Sequence, residues 1–359
     1  MTQSSGPEPC RRLRGPGPSG ACRAFVLPVL LIALLTSIAG CGPIALHFTP
    51  QSPQTPKQES PQPPQPGTPP TPTPPGVPAA PPATPPGTTP PALAPGPVNE
   101  KNALKVHFID VGQGDSILIQ IPGPNPGVML IDAGQASRGA TVVSYLRSQN
   151  VKQIDWLVAT HPDPDHIGGM AKVLDSLPVK KLYMPKTSHT TQTYENFLLA
   201  VKRNGLTITG ARHGVEVTRA EGLDVRFIGP RGTSYEQLND WSAVLRVEFR
   251  GTVFLFTGDG EAKSEFEMLL ASDIQPRADV LKVAHHGSSD ATSDLFLSVV
   301  SPKYAVISVG AGNPYGHPSQ RVMTSLAKAK VTVYRTDQNG TVIIMSDGKN
   351  LSVSTSKKP

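Results

Sequence analysis

The chain has 359 residues, 40 of them proline, and a formal net charge of +6. Residues 1–40 carry four arginines and one glutamate, Lys57 and Glu59 cancel, and only +3 remains for residues 100–359, so charge alone does not argue for nucleic acid. The three cysteines, Cys10, Cys22 and Cys41, all lie near the N-terminus, which excludes a disulfide framework or a cysteine zinc site in a later domain.

In chain order, Arg11, Arg12, Arg14 and Arg23 form a positive region before the apolar run FVLPVLLIALLTSIAG, the pattern of a signal peptide rather than a membrane span. Ile38-Ala39-Gly40-Cys41 resembles the lipobox of bacterial lipoproteins, in which the cysteine is acylated after cleavage. Residues 1–40 are therefore expected to be a lipoprotein signal peptide. Cys41 would be the lipidated N-terminus of a protein held outside the cytoplasm at the bacterial cell membrane. Residues 41–99 are expected to be a disordered linker, because from Pro50 to Pro97 they are dominated by proline with almost no large apolar residue. An extended chain of that length reaches on the order of 150 Å at about 3.1 Å per residue.

From residue 100 to 359 short apolar strands alternate with helical stretches. LKVHFI, DSILIQI and VMLIDA read as strands, RGATVVSYLRSQ as a helix, IDWLVA as a buried strand, IGGMAKVLDSL as a helix, KKLYM as a strand and TYENFLLAVKRNG as a helix. The pattern then repeats: strands in LDVRFIG, SAVLRVEFR and TVFLFTGDG, a helix in EAKSEFEMLLA, a strand in DVLKVA, a helix at SDLFLSVV, a strand in YAVISVG and a helix in SQRVMTSLAKAK. Two such sets predict an α/β sandwich of two sheets with helices outside.

Chemistry-bearing residues collect where buried strands end. THPDPDH follows IDWLVA, Asp259 follows TVFLFT, His285 and His286 follow DVLKVA, Asn313 to His317 follow YAVISVG, and Asp132 ends VMLI. Five of the nine histidines fall in these loops, and histidine with aspartate is a binding set for two divalent ions. Pro162 and Pro164 restrict His161 and Asp163 to extended geometry, so alternating side chains can face separate ions.

HFIDVGQGDS, LIDAG, THPDPDHIGG, NDWSAVL, FTGD, DVLKVAHHGSS and NPYGHPS, in that order, resemble the metallo-β-lactamase superfamily. Within it they are most similar to the extracytoplasmic domain of ComEC-type competence DNA-uptake proteins and its free-standing relatives. The resemblance implies an αββα sandwich of two mixed sheets and a dinuclear metal site. His161 and Asp163 match ligands of the first ion, Asp165 and His166 those of the second, and Asp259 the bridging aspartate. Either His285 or His286 matches the late histidine of the second site. Asp163 stands where the family usually has histidine, and the segment at Asn239, Asp240 and Ser242 lies where many members supply a further histidine. Both departures replace imidazole with oxygen and favour harder ions, Mn²⁺ beside Zn²⁺.

On this reading Asp165 orients the attacking water, while His317 and the non-ligand member of His285/His286 steady phosphoryl oxygens or protonate the leaving group. Asp132 is either a carboxylate behind a ligand histidine or a strand-end turn residue. Asp110 and Asp115 flank GQG, which reads first as a turn and alternatively sets both aspartates on the site floor, with Asp110 kept beside Asp132 behind the ligands. Asn313 and Ser288 are candidate substrate contacts; Ser288, Ser289 and Ser319 also suit helix caps. Three functions follow: a phosphodiesterase on extracellular DNA, a hydrolase of another phosphoester or ester in the cell envelope, or a binding module without activity. An aromatic content of 5% offers few stacking platforms for single strands, and no protein partner is inferable.

Overall fold

In the computed structural model, which describes residues 98–123 and 126–357, strand alternation sets the layers. The expected signal segment 1–40, Cys41 and the linker as far as residue 97 lie outside the described residues. In β1 (Leu104–Phe108), Leu104, Val106 and Phe108 face an inner apolar layer, while His107 faces the other way toward Tyr145. β2 (Ile117–Ile121), β3 (Gly127–Ile131), β4 (Ile154–Val158), β5 (Val179–Met184) and β6 (Ile208–Gly210) complete one run. β7 (Glu216–Ala220), β8 (Leu223–Gly229), β9 (Val244–Phe249), β10 (Thr252–Phe256), β11 (Val280–Lys282), β12 (Tyr304–Ile307) and β13 (Thr332–Arg335) form the second. The chain then returns to the first sheet with β14 (Val342–Ser346) and β15 (Leu351–Thr355).

The first sheet runs β15-β14-β1-β2-β3-β4-β5-β6 and the second β13-β12-β11-β10-β9-β8-β7. Both are mixed: β15 to β3 pair antiparallel and β3 to β6 parallel, and β7 to β10 pair antiparallel and β10 to β13 parallel. Their inner faces meet through Phe108 against Phe256, ring centroids 6.1 Å apart, and Tyr183 against Phe227 at 5.5 Å. α1 (Gly139–Ser148), α2 (Pro164–Ile167), α3 (Met170–Leu174) and α4 (Gln192–Arg203) cover the outer face of the first sheet. Phe197, Ala200 and Val201 form the buried stripe of α4, at the i, i+3, i+4 spacing a surface helix needs. α5 (Ala262–Leu269), α6 (Asp294–Val300) and α7 (Gln320–Lys328) cover the second sheet, and the short α8 (Thr336–Asn339) follows β13. This is the expected αββα sandwich.

One of the expected helices is divided. The helix read across IGGMAKVLDSL is two short helices, and the first begins within the aspartate–histidine motif at Pro164, a residue suited to a first helical position. The break falls at Gly168-Gly169 because the Gly169 N–H bonds the Gly134 carbonyl at 2.9 Å instead of continuing the helix. A Cβ on Gly169 would lie 2.1 Å from the Ala133 carbonyl, so only glycine lets this turn press against the loop after β3.

Candidate metal centre

Parallel strands deliver their C-terminal ends to one edge of the sandwich, and the loops after β3, β4, β10, β11 and β12 converge there. The loops of the two sheets are tied directly where Ala243 N–H donates to the Thr160 carbonyl at 2.9 Å, and within the second sheet His285 N–H donates to the Gly258 carbonyl at 3.2 Å. Asp132, at φ 54°, ends β3 with its carboxylate wholly buried. Its Oδ1 accepts the Thr160 N–H at 2.9 Å; its Oδ2 accepts the Thr160 hydroxyl at 2.6 Å and His166 Nδ1–H at 2.8 Å. With its proton directed to Asp132, the Thr160 hydroxyl accepts from His161 Nδ1–H at 3.1 Å. One carboxylate therefore sets both rings, directly and through a threonine, so that both Nε2 atoms face the centre. Asp132 stands behind the ligand candidates, and its turn geometry serves that placement.

Asp259 is the hub. Its Oδ2 lies 3.2 Å from His166 Nε2, 3.4 Å from His286 Nε2, and 3.9 Å from both His161 Nε2 and His285 Nε2. Asp163 Oδ2 is 3.5 Å from His161 Nε2, and Asp165 Oδ2 is 3.3 Å from His286 Nε2. Asp163 is extended, at φ −70° and ψ 145°, whereas Asp165 and His166 sit on the helical turn of α2. The motif thus splits its side chains between two groups, His161–Asp163 and Asp165–His166, with Asp259 between them.

The two late histidines separate. His286 is buried, donates Nδ1–H to the Ser308 carbonyl at 2.8 Å and turns Nε2 into the Asp165–His166–Asp259 group. His285 is at the rim, its Nδ1 3.1 Å from Glu261 Oε1 and its ring 5.5 Å from that of His317. The geometry brings His286 to the second group and leaves His285 at the rim, its Nδ1 on Glu261 and its Nε2 3.9 Å from Asp259. His285, His286 and Gly287 have φ values of 47°, 51° and 84°, and left-handed backbone costs a non-glycine residue about 1–2 kcal/mol. Such strain is held where a site needs the side-chain directions it gives.

His161 Nε2 and Asp259 Oδ1 are buried with no hydrogen-bond partner among the described residues. Buried acceptors without a partner call for a donor or a cation, and an imidazole lone pair beside a carboxylate oxygen fits a divalent ion. Asp259 is held well below the usual carboxylate range: burial alone would raise it, but His166 and His286 outweigh burial. His166 is raised well above an ordinary histidine, burial being overcome by Asp259 and Asp132, and His286 is raised to about 10, burial being overcome by Asp259 and Asp165. Metal binding at these nitrogens therefore competes with protons.

Several expected site residues lie elsewhere. Asp110 accepts from the Gly112 N–H at 3.2 Å and from Lys357 Nζ at 2.9 Å, so it closes the GQG turn and pairs with the C-terminal segment, not the site floor. Asn313 Oδ1 accepts from the Tyr315 and His317 N–H groups, and its Nδ2 donates to the Gly310 and His317 carbonyls. With its amide fully engaged, Asn313 shapes the loop carrying His317 and has no group left for a substrate. Ser288 is buried, its hydroxyl paired with Asp290, and α6 is capped by Ser293 instead. Ser319 does cap α7. The segment at 239–242 brings no ligand to the His161 group: Asp240 accepts from the N–H groups of Glu261 and Ser264 at the start of α5, and Ser242 Oγ accepts the Asp259 N–H. His317 is at the rim, its Nδ1 without a hydrogen-bond partner among the described residues and its pKa lowered by burial and by His285 and His286.

Two residues, Lys282 and Glu261, were not anticipated. Lys282 is fully buried, its Nζ 2.9 Å from Asp115 Oδ2, and Asp115 Oδ1 is 3.5 Å from His286 Nδ1. Glu261 backs His285. The signal for Lys282 was present, since a lysine interrupts the otherwise apolar DVLKVA; Glu261 carried none.

The profile of the metallo-beta-lactamase superfamily matches residues 109–311, more than half of the chain. The chain belongs to the metallo-β-lactamase superfamily. Among curated relatives it is 35% identical over 256 residues to ComE operon protein 3 of Bacillus subtilis (strain 168), covering 66% of this chain and 32% of that protein. It is 32% identical over 242 residues to Competence protein ComA of Neisseria gonorrhoeae, covering 67% of this chain and 32% of that one. The chain thus spans about a third of the length of these relatives. Among solved structures, the CmlA beta-hydroxylase E377D mutant aligns with a TM-score of 0.44 at 10% identity, over 65% of this chain and 52% of that one. The superfamily and competence-type likeness read from the motifs is borne out.

Proposed function

We propose that this superfamily domain is a dinuclear metal-dependent phosphodiesterase acting on DNA outside the cytoplasm, tethered to the membrane through Cys41. The observation that carries the reading is the Asp259 carboxylate set among four imidazoles, beside a buried His161 Nε2 with no other partner. His161, Asp163 and Asp259 would hold one divalent ion, and Asp165, His166, His286 and Asp259 the other. Two such ions supply Lewis acidity for phosphoryl oxygens and a lowered pKa for water.

The chain's own groups divide the remaining work. Asp165, held with its Oδ2 3.3 Å from His286 Nε2, accepts a hydrogen bond from the attacking water and orients it. Asp132 and Thr160 keep His161 and His166 in one tautomer. His317, neutral near pH 7 because burial and the two neighbouring histidines lower its pKa, donates a hydrogen bond to a non-bridging oxygen. DNA as the substrate is supported by the competence names of the relatives, and the tether by the Ile38–Cys41 sequence.

The test is incubation of the Mn²⁺- or Zn²⁺-loaded protein with linear DNA and with bis(p-nitrophenyl) phosphate. Cleavage of both is expected. Cleavage of the small diester alone would remove DNA and leave an envelope phosphoester hydrolase; cleavage of neither, with both ions bound, would leave a binding module. Labelling with radioactive palmitate, lost in Cys41→Ser, tests the tether.

A further inference from the structure

The loop after β12 is built to present one ring. Aromatic residues are only 5% of the chain, yet Tyr315 is 66% exposed. Its ring is stacked on His317, centroids 5.6 Å apart and planes 28° from parallel. His317 lies 5.5 Å from His285, whose Nε2 is 3.9 Å from Asp259. A file of rings therefore runs from the aspartate–histidine cluster to solvent and ends on Tyr315. The loop is fixed rather than loose: Asn313 receives the N–H groups of Tyr315 and His317 and donates to the carbonyls on either side, and Gly316 turns the chain at φ 70°. An exposed ring on a rigid loop binds a flat partner with little ordering cost.

We propose that Tyr315 is a stacking platform for an unpaired base of a single-stranded nucleic acid whose phosphodiester backbone leads on to the Asp259 cluster. The inference rests on the phosphodiesterase reading and narrows its substrate to strands with accessible base faces. Every base has a π-face, so the platform is indifferent to sequence, whereas a duplex hides those faces in its own stack. His317 packs against the Tyr315 ring, most of which stays exposed to solvent.

The experiment uses the full chain in Mn²⁺ and reads fluorescence anisotropy of nuclease-resistant phosphorothioate strands. Three probes of equal length are compared: oligothymidylate, an abasic strand and a duplex. The wild type binds oligothymidylate about tenfold more tightly than the abasic strand, the size of one base–aromatic stack. Tyr315→Ala abolishes that preference while binding the abasic strand and the duplex as the wild type does, and Tyr315→Phe keeps it. Equal preference in wild type and Tyr315→Ala overturns the inference, as does a chain that binds neither single strand. Hydrolysis of bis(p-nitrophenyl) phosphate is scored separately. Turnover with an unaltered preference in Tyr315→Ala sinks the stacking platform alone; no turnover with a Tyr315-dependent preference sinks the phosphodiesterase and leaves a single-strand binding site.

Discussion

Replacing Lys282 with methionine tests the floor beneath His286. Lys282 and Asp115 are both buried, with Nζ 2.9 Å from Oδ2, and the ammonium also donates to the Val283 carbonyl at 2.7 Å. Methionine matches the lysine stem in volume, so the lost term is electrostatic: the Asp115 carboxyl is left buried without its partner. Its other oxygen has no hydrogen bond among the described residues and lies 3.5 Å from His286 Nδ1. Removing one member of a buried pair costs about 3–5 kcal/mol, while removing both charges is close to neutral because two desolvation costs disappear together. We expect Lys282→Met to lose about 3–5 kcal/mol and the double variant Asp115→Asn/Lys282→Met to recover at least half of that. The loss is a large part of the ~5–15 kcal/mol that holds most domains folded. Guanidinium unfolding in EDTA, which holds metal linkage constant, gives the four corners of the cycle. A Lys282→Met cost below about 1 kcal/mol, or strictly additive single changes, would refute the argument.

Asp165→Asn should lower phosphodiester turnover by about 10²-fold or more with an unchanged unfolding midpoint, and near-wild-type rates would remove Asp165 from the chemistry. His286→Ala should reduce bound Mn²⁺ or Zn²⁺ from two equivalents to one by metal analysis, whereas His285→Ala should keep both; the reverse result would exchange their places. His107, buried beside Tyr145 and Gln120, has its pKa lowered to about 4 by burial, against the Gln120 hydrogen bond. The unfolded chain takes up this proton near pH 6.5 and the folded one does not until about 4, so stability is kept above 6.5 and falls by on the order of 3 kcal/mol as pH drops through that window. Unfolding curves at successive pH values should show that fall shrinking in His107→Gln, and parallel curves would count against it.

Much of the molecule was legible in one dimension. Period-two alternation in LKVHFI and the Phe197–Val201 stripe depend on local geometry, so strands and helices could be placed where pattern and packing agree. β6, β7, β13 and the β14–β15 hairpin went unread. β6 is three residues long, and β7 and β13 are mostly exposed or half-buried, leaving little apolar pattern to see. β14 finds its partner in β1, more than two hundred residues away, and no neighbouring residue announces that pairing.

The sequence by itself determined the inventory of the site: which loops carry histidine and aspartate, that prolines hold His161 and Asp163 extended, and that these motifs belong to one superfamily. Only the tertiary structure decided how those donors are shared. His285 and His286 are adjacent and chemically identical, and it is the left-handed backbone after β11 that sends one ring to Asp259 and Asp165 and the other to the rim. Asp110 and Asp115 flank the same GQG, yet one pairs with Lys357 and the other with buried Lys282, partners supplied by distant strands and the C-terminal segment. Residue type states what a side chain can bind; what it does bind depends on which other loop the sheets bring within about 3 Å of it.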